Sequence, residues 1–355
     1  LRFFCILGFL YVWEVVMMNN VGVIGAGHWG TALSKLLAEK GIPVTLWCYE
    51  KEVADHINSD HHNPLYLTEA KLPHTIKATN DLQEAITQKD VVVSVLPSHA
   101  VRAIWTKAAQ YLDPKTILVN ATKGIESKTQ KLMSEVFSEC LPSHPENQRT
   151  FLSGPSFARE VAAGLPTSVV IAGTDPSVSQ KIQQLFRTMT FLTFTNDDIA
   201  GVEVGGSVKN VIAIAAGVSD GLGFGHNARA AIITRGIYEM VKIGKAFGAK
   251  PLTFLGLAGI GDLILTCTAE LSRNHMVGKK LASGQTMKEI LAEMKMVAEG
   301  IQTAEAVYLL TLKHNIEAPI CHVTYRMLYE GLQPKEAVAW LCSITLKEEL
   351  RSIMK

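Results

Sequence analysis

Lys209 is the only charged residue between Glu203 and Asp220, in a run from Gly205 to Gly217 that otherwise reads as a buried helix. An unpaired cation is expensive to bury, and desolvation makes a lysine easier to deprotonate, so a lysine in this setting is suited to proton transfer. The alternative is a lysine on a helix flank that carries its charge out to solvent. Asp262 follows two glycines in Ala258-Gly-Ile-Gly-Asp-Leu-Ile-Leu-Thr266, with Thr266 one turn on and on the same helical face. It is either a helix N-cap or a carboxylate that meets Lys209 and keeps the ammonium charged or receives its proton. Two more cations suit anion chemistry. Lys123 follows a strand and precedes Gly124, where it could reach cofactor and substrate together; a solvated loop lysine is the competing reading. Arg273, in Ser272-Arg-Asn274, could grip a phosphate through two parallel hydrogen bonds or sit on the surface. In Leu152-Ser-Gly-Pro-Ser-Phe-Ala-Arg-Glu160 a strand end turns into a helix, offering Ser156 and nearby amides to a ligand or simply capping the helix.

A second group of residues reads as a nucleotide site. Val21-Gly-Val-Ile24 is a short buried strand, followed by Gly25-Ala-Gly27-His-Trp-Gly30 and then by a helix with apolar positions at Leu33, Leu36 and Leu37. Strand, glycine turn and helix is the order a dinucleotide fingerprint requires. Gly25 permits the tight turn, Gly27 the approach of a pyrophosphate, and Gly30 close packing of helix on strand. His28 and Trp29 then lie beside the cofactor, although a histidine in such a loop can equally be an ordinary exposed residue. After the strand Val44 to Trp47 come Cys48, Tyr49, Glu50 and Lys51. Tyr49 suits stacking on adenine, Glu50 favours NAD and Lys51 favours NADP, so the residues leave the cofactor open.

These groups need a frame. Further buried strands are expected at Val91 to Leu96, Ile117 to Asn120 and Ser168 to Ala172, with helices between them, as a parallel doubly wound sheet requires. Beyond about Asn196 the pattern is helical. At 355 residues the chain exceeds one ordinary core. The expected division is a Rossmann-type domain over 19–196 and an all-helical substrate domain over 197–350, with substrate between them. The formal charge of +1 gives no global basic field for nucleic acid, so any anion site is built locally. Cysteines 5, 48, 140, 267, 321 and 342 form no Cys-x-x-Cys pair, which argues against a zinc site and a disulfide framework and fits a reducing cytoplasm. Residues 1–18 include an uncharged apolar run, Phe3 to Trp13, shorter than the about 20 residues of a membrane span and followed by no small-x-small cleavage site. With Met17 and Met18 close behind, the segment reads as an extension from start-site choice or cloning; a surface-docking arm or a targeting segment is the alternative. No stable membrane insertion is expected.

Read in order, Gly25-Ala-Gly-His-Trp-Gly30, Ala121-Thr-Lys-Gly124, Ser153-Gly-Pro-Ser-Phe-Ala158, Gly205-Gly-Ser-Val-Lys-Asn210, Asp220-Gly221 with Gly223-Phe-Gly225, Gly261-Asp-Leu-Ile-Leu-Thr-Cys-Thr268, Ser272-Arg-Asn274 and Val297-Ala-Glu-Gly300 resemble the bacterial NAD(P)-dependent sn-glycerol-3-phosphate dehydrogenases. The resemblance runs from Val21 to about Glu348; the apolar extension before Asn19 is its clear departure. It implies reversible hydride transfer between dihydroxyacetone phosphate and sn-glycerol 3-phosphate, feeding phospholipid synthesis, with NADP slightly favoured over NAD. It assigns proton transfer to Lys209, contact with both cofactor and substrate to Lys123, and a supporting catalytic role to Asp262. Substrate contacts are implied at Gly154, Ser156, Asp262, Ser272, Arg273 and Asn274. Dinucleotide contacts are implied at His28, Trp29, Tyr49, Ala158, Arg273, Val297 and Glu299, where His28 stands in place of the more usual serine. A homodimer is plausible for such a fold. The competing readings are a β-hydroxyacid dehydrogenase, which would act on a carboxylate, and a non-catalytic NADPH sensor that binds without turnover.

Overall fold

The computed structural model describes residues 20–294 and 298–344, so the apolar segment 1–18, Val297 and the end of the expected helical region lie outside the described residues. Ten strands form: β1 (Val21–Ile24), β2 (Val44–Trp47), β3 (Ile76–Thr79), β4 (Val91–Ser94), β5 (Ile117–Asn120), β6 (Ile125–Glu126), β7 (Lys131–Leu132), β8 (Arg149–Ser153), β9 (Thr167–Gly173) and β10 (Phe191–Asn196). Eight of them make one sheet in the order β10-β9-β8-β5-β4-β1-β2-β3, and β6 pairs with β7 alone. Every residue of β1, β2, β4 and β5 is buried, as parallel strands covered by helices on both faces must be. Val21 lies opposite Val44 on one side and Val91 on the other, so the chain order reverses about β1 and opens a crevice at the carboxyl ends of β1 and β4.

The sheet is mixed. The strand expected over Ser168 to Ala172 is present as β9, but it runs antiparallel to β8, with Leu152 opposite Ile171. Length explains the difference. A parallel return needs a crossover as long as the strand, and the connection here holds only the five-residue helix Ala158–Ala162, whose rise of about 1.5 Å per residue cannot span it. The 11-residue helix Pro176–Phe186 does span it, and β10 returns parallel to β9.

From Ile199 onward the described elements are helical. The first, Ile199–Gly221, is 23 residues long and starts at an Asp198 cap whose carboxylate accepts from the Gly201 amide at 2.9 Å. It is long and apolar enough to cross a membrane, but 89% of its most apolar window is buried within the protein, so it is a core helix. The helix Arg273–Ala282 crosses it at backbone contact: a Cβ on Gly217 would lie 2.0 Å from His275 O, and one on Gly278 2.0 Å from Ile214 O. Val202 and Ala258 join the apolar cluster under one face of the sheet, which fixes the long helix against the strand ends.

Candidate active site

The buried helix Ile199–Gly221 carries Lys209 at 6% exposure, so the side chain does not reach out to bulk solvent. Its Nζ donates to Asp262 Oδ1 at 2.8 Å and to Thr266 Oγ1 at 2.7 Å. Asp262, 1% exposed, is the first residue of the helix Asp262–Thr268, entered from a π-helical turn over Leu257–Gly261; it is not an N-cap. Its other oxygen, Oδ2, accepts from Lys123 Nζ at 2.8 Å. One carboxylate therefore bridges two ammonium groups. Burial pulls the Lys209 pKa down to about 8, with Asp262 opposing that fall and Lys123 adding to it. An ammonium with these neighbours exchanges a proton near neutral pH, as a general acid or base has to. Thr266, noted in the sequence only for its spacing, proves to be the second partner of the lysine.

Lys209 and Lys123 both open onto a cleft of about 790 Å³ between the strand ends and the helices. Its sheet wall is the glycine turn. Gly25 has φ of 116°, and a Cβ on Gly30 would lie 1.8 Å from Gly25 O, so side chains are excluded at both positions. At Gly27 a Cβ would meet no protein atom within 4 Å; that space faces the cleft. Gly27 also begins the helix His28–Glu39 with no side-chain cap and no acidic residue in the first turn, which leaves its amides for an anion. His28 Nδ1 and Trp29 Nε1 are buried without a hydrogen-bond partner. Orphaned polar atoms beside an uncapped helix and an open glycine fit a dinucleotide pyrophosphate. Tyr49, 74% exposed, stands at the mouth with its ring 6.2 Å from that of Trp47. Glu50 borders the cleft, whereas Lys51 pairs with Asp55 at 3.2 Å.

On the helical wall, Ser272 caps the helix Arg273–Ala282, its Oγ accepting from His275 N at 3.2 Å, and Arg273 reaches into the cleft from the first turn. Asn274 Nδ2 donates to Asn210 Oδ1 at 2.9 Å while its Oδ1 accepts from Gly300 N at 3.0 Å, so this side chain ties three helices together at the cleft edge. Ser156, Ala158 and Glu299 also line the cleft. Burial raises the Glu299 pKa, and a 2.9 Å hydrogen bond from Ser98 Oγ opposes that rise. Gly154 is set back from it: the carbonyl accepts from Lys123 Nζ and from Ser156 Oγ, each at 2.9 Å, and so aims the lysine. Val297 lies outside the described residues. Asn210 and Tyr66 line the cleft and were not selected from the sequence. Asn210 had a readable signal, a second polar residue beside Lys209 in an apolar helix. Tyr66 lies in a loop with no motif around it and had none.

Comparison with known proteins agrees with this geometry. The family model for the NAD-dependent glycerol-3-phosphate dehydrogenase N-terminus matches residues 20–179, and that for the C-terminus matches residues 198–339. The glycerol-3-phosphate dehydrogenase (NAD(P)+) of Geobacter sulfurreducens is 50% identical over 335 residues, 94% of this chain and 99% of that one. The protein of the same name from Citrifermentans bemidjiense is 49% identical over 333 residues, with coverage of 94% and 99%. Among solved structures, glycerol-3-phosphate dehydrogenase from Coxiella burnetii superposes with a TM-score of 0.88 at 40% identity, covering 92% of this chain and 99% of its own. A ketopantoate reductase from Ralstonia eutropha shares the fold alone, with a TM-score of 0.56 at 15% identity. The chain belongs to the NAD-dependent glycerol-3-phosphate dehydrogenase family.

Proposed function

We propose that the cleft interconverts dihydroxyacetone phosphate and sn-glycerol 3-phosphate, with NAD(H) or NADP(H) on the glycine-turn wall and the three-carbon phosphate on the helical wall. The observation that carries this reading is the bridged pair, Lys209 and Lys123 held at 2.8 Å on the two oxygens of Asp262 at the edge of a cleft whose other wall is the glycine turn. The glycine turn with His28 and Trp29 would hold the dinucleotide, which when bound would supply the hydride for the substrate carbonyl carbon. Lys209 supplies the proton to the oxygen on which negative charge develops, and in the oxidative direction takes it back. Asp262 holds the ammonium charged and aimed. Lys123, fixed by Gly154 O and Asp262, adds positive potential beside the developing oxyanion. Arg273 clamps the substrate phosphate, with Ser272 and Asn274 fixing the helix end that presents it and Ser156 facing it across the cleft. His28, Trp29, Tyr49, Ala158, Glu299 and Val297 complete the dinucleotide contacts.

The reading extends to the domain division at residues 196 and 197, with the active site between the two parts. It also extends to a cytoplasmic enzyme on a small-molecule substrate, able to form a homodimer, that feeds glycerol 3-phosphate to phospholipid synthesis. The β-hydroxyacid dehydrogenase alternative is disfavoured by the family match. The test is oxidation of NADH and NADPH followed by absorbance, with dihydroxyacetone phosphate added last. Substrate-dependent loss of absorbance supports the reading, and binding of nucleotide without turnover would return the hydroxyacid dehydrogenase alternative first and the sensor second.

A further inference from the structure

Residues 61–72 form a strap that none of the preceding chemistry uses. Its two ends are closed on each other: Leu72 N donates to His61 O at 2.9 Å, His62 bridges Lys71, and the His61 and His74 rings approach with Nε2 and Nδ1 2.7 Å apart. His61 (φ 52°) and Leu67 (φ 59°) take left-handed conformations that L side chains avoid, so the path is imposed by its anchors. Leu67 and Leu72 are sunk in the core beneath the sheet. Near the start of the strap lies Asn63, 0% exposed. Its Nδ2 donates to Ala26 O and to Thr31 Oγ1, each at 2.9 Å, and its Oδ1 accepts from Leu65 N at 3.1 Å and Tyr66 N at 2.9 Å. Both amide protons and both lone pairs are engaged.

Ala26 is the residue between Gly25 and Gly27. A trans peptide is planar, so holding Ala26 O toward Asn63 turns the Gly27 N–H away from it, and Gly27 borders the cleft. The same side chain places Tyr66, whose ring meets that of His28 edge-on at 5.8 Å and whose hydroxyl donates to Glu50 Oε1 at 3.2 Å. Both residues face the cleft where the nucleotide binds. We propose that Asn63 is a positioning residue for the dinucleotide: it sets the orientation of the glycine turn and seats Tyr66 as the outer wall of the nucleotide site. This inference rests on the dehydrogenase reading above.

The experiment titrates NADH and NADPH, without substrate, into the full chain and into the Asn63→Ala and Thr31→Val variants, with circular dichroism to confirm folding. Asn63→Ala leaves Ala26 O with the Thr31 hydroxyl at 3.1 Å as its remaining side-chain donor and leaves the Leu65 and Tyr66 amides short of a partner, and the dinucleotide Kd is expected to rise about tenfold or more. The KM for dihydroxyacetone phosphate, measured at saturating nucleotide, is expected to stay within about twofold, a split that a general loss of structure does not give. Thr31→Val keeps shape but removes the hydroxyl that accepts from Asn63 and itself donates to Ala26 O at 3.1 Å, and moves Kd the same way by less. An unchanged Kd in folded Asn63→Ala overturns the role; if that variant does not fold, an unchanged Kd in Thr31→Val does so. A parent chain that binds neither nucleotide overturns the dehydrogenase reading along with this one, whereas failure confined to the variants overturns the strap alone.

Discussion

On the sheet side of the cleft the glycine turn presents uncapped backbone amides and open space, whereas on the helical side Lys209, Asp262 and Lys123 present charge held at 2.8 Å. The first wall is made by three residues that lack side chains, within six positions of one another. The second is made by side chains brought together from 53 and 139 residues apart. A backbone site tolerates little change in shape but carries no titrating group of its own. A charge site depends on its partners, because each buried group sets the ionisation of the next.

The largest loss is expected at Lys209. Lys209→Met removes the proton donor, and turnover is expected to fall by about 10²–10⁴-fold. The dinucleotide Kd should barely move, because the glycine wall is untouched; stopped-flow turnover beside a binding titration reads both. Arg273→Ala acts on the same wall without touching the proton. It should raise the KM for dihydroxyacetone phosphate by about ten- to hundredfold, the cost of one charged hydrogen-bonding partner, with a smaller effect on kcat. Steady-state kinetics with both substrates varied separate these, and a KM equal to the parent's would remove Arg273 from phosphate binding. On the sheet wall the two glycines should part company. Gly30→Ala drives a methyl to 1.8 Å from Gly25 O and is expected to lower stability by about 1–3 kcal/mol, seen as a fall in Tm. Gly27→Ala meets no protein atom within 4 Å, so Tm should hold while nucleotide affinity weakens. Equal losses of Tm in the two variants would show that the space at Gly27 is not reserved for a ligand.

The same contrast explains what could be read from the amino acids alone. Gly25, Gly27 and Gly30 were legible because a backbone requirement is written locally, in residues with no side chain. Lys209 was legible as an anomaly, one charge in an apolar helix. Its partners were not: Asp262 read equally well as an N-cap and Lys123 as a solvated loop residue, since nothing near either position records what lies opposite it in space. Asn63 was invisible for the same reason, a single asparagine in a loop, whose bonds to Ala26 O and Thr31 Oγ1 depend on tertiary placement. In the sheet, β1, β2, β4 and β5 followed from their unbroken apolar runs. β10 alternates buried and exposed residues at the sheet edge and was missed, and the antiparallel sense of β9 depends on the length of a connection, which no residue in the strand reports.

If Asp262 tunes Lys209 for proton transfer, the pH dependence of kcat/KM for dihydroxyacetone phosphate reduction records it. Reduction needs Lys209 protonated, so the rate should fall as pH rises through its pKa of about 8. Asp262 raises that pKa against the effects of burial and Lys123, so Asp262→Asn should move the alkaline limb to lower pH as well as depress the plateau. An alkaline limb that stays in place in Asp262→Asn, or that persists in Lys209→Met, would show that the titrating group is not Lys209 and contradict the account.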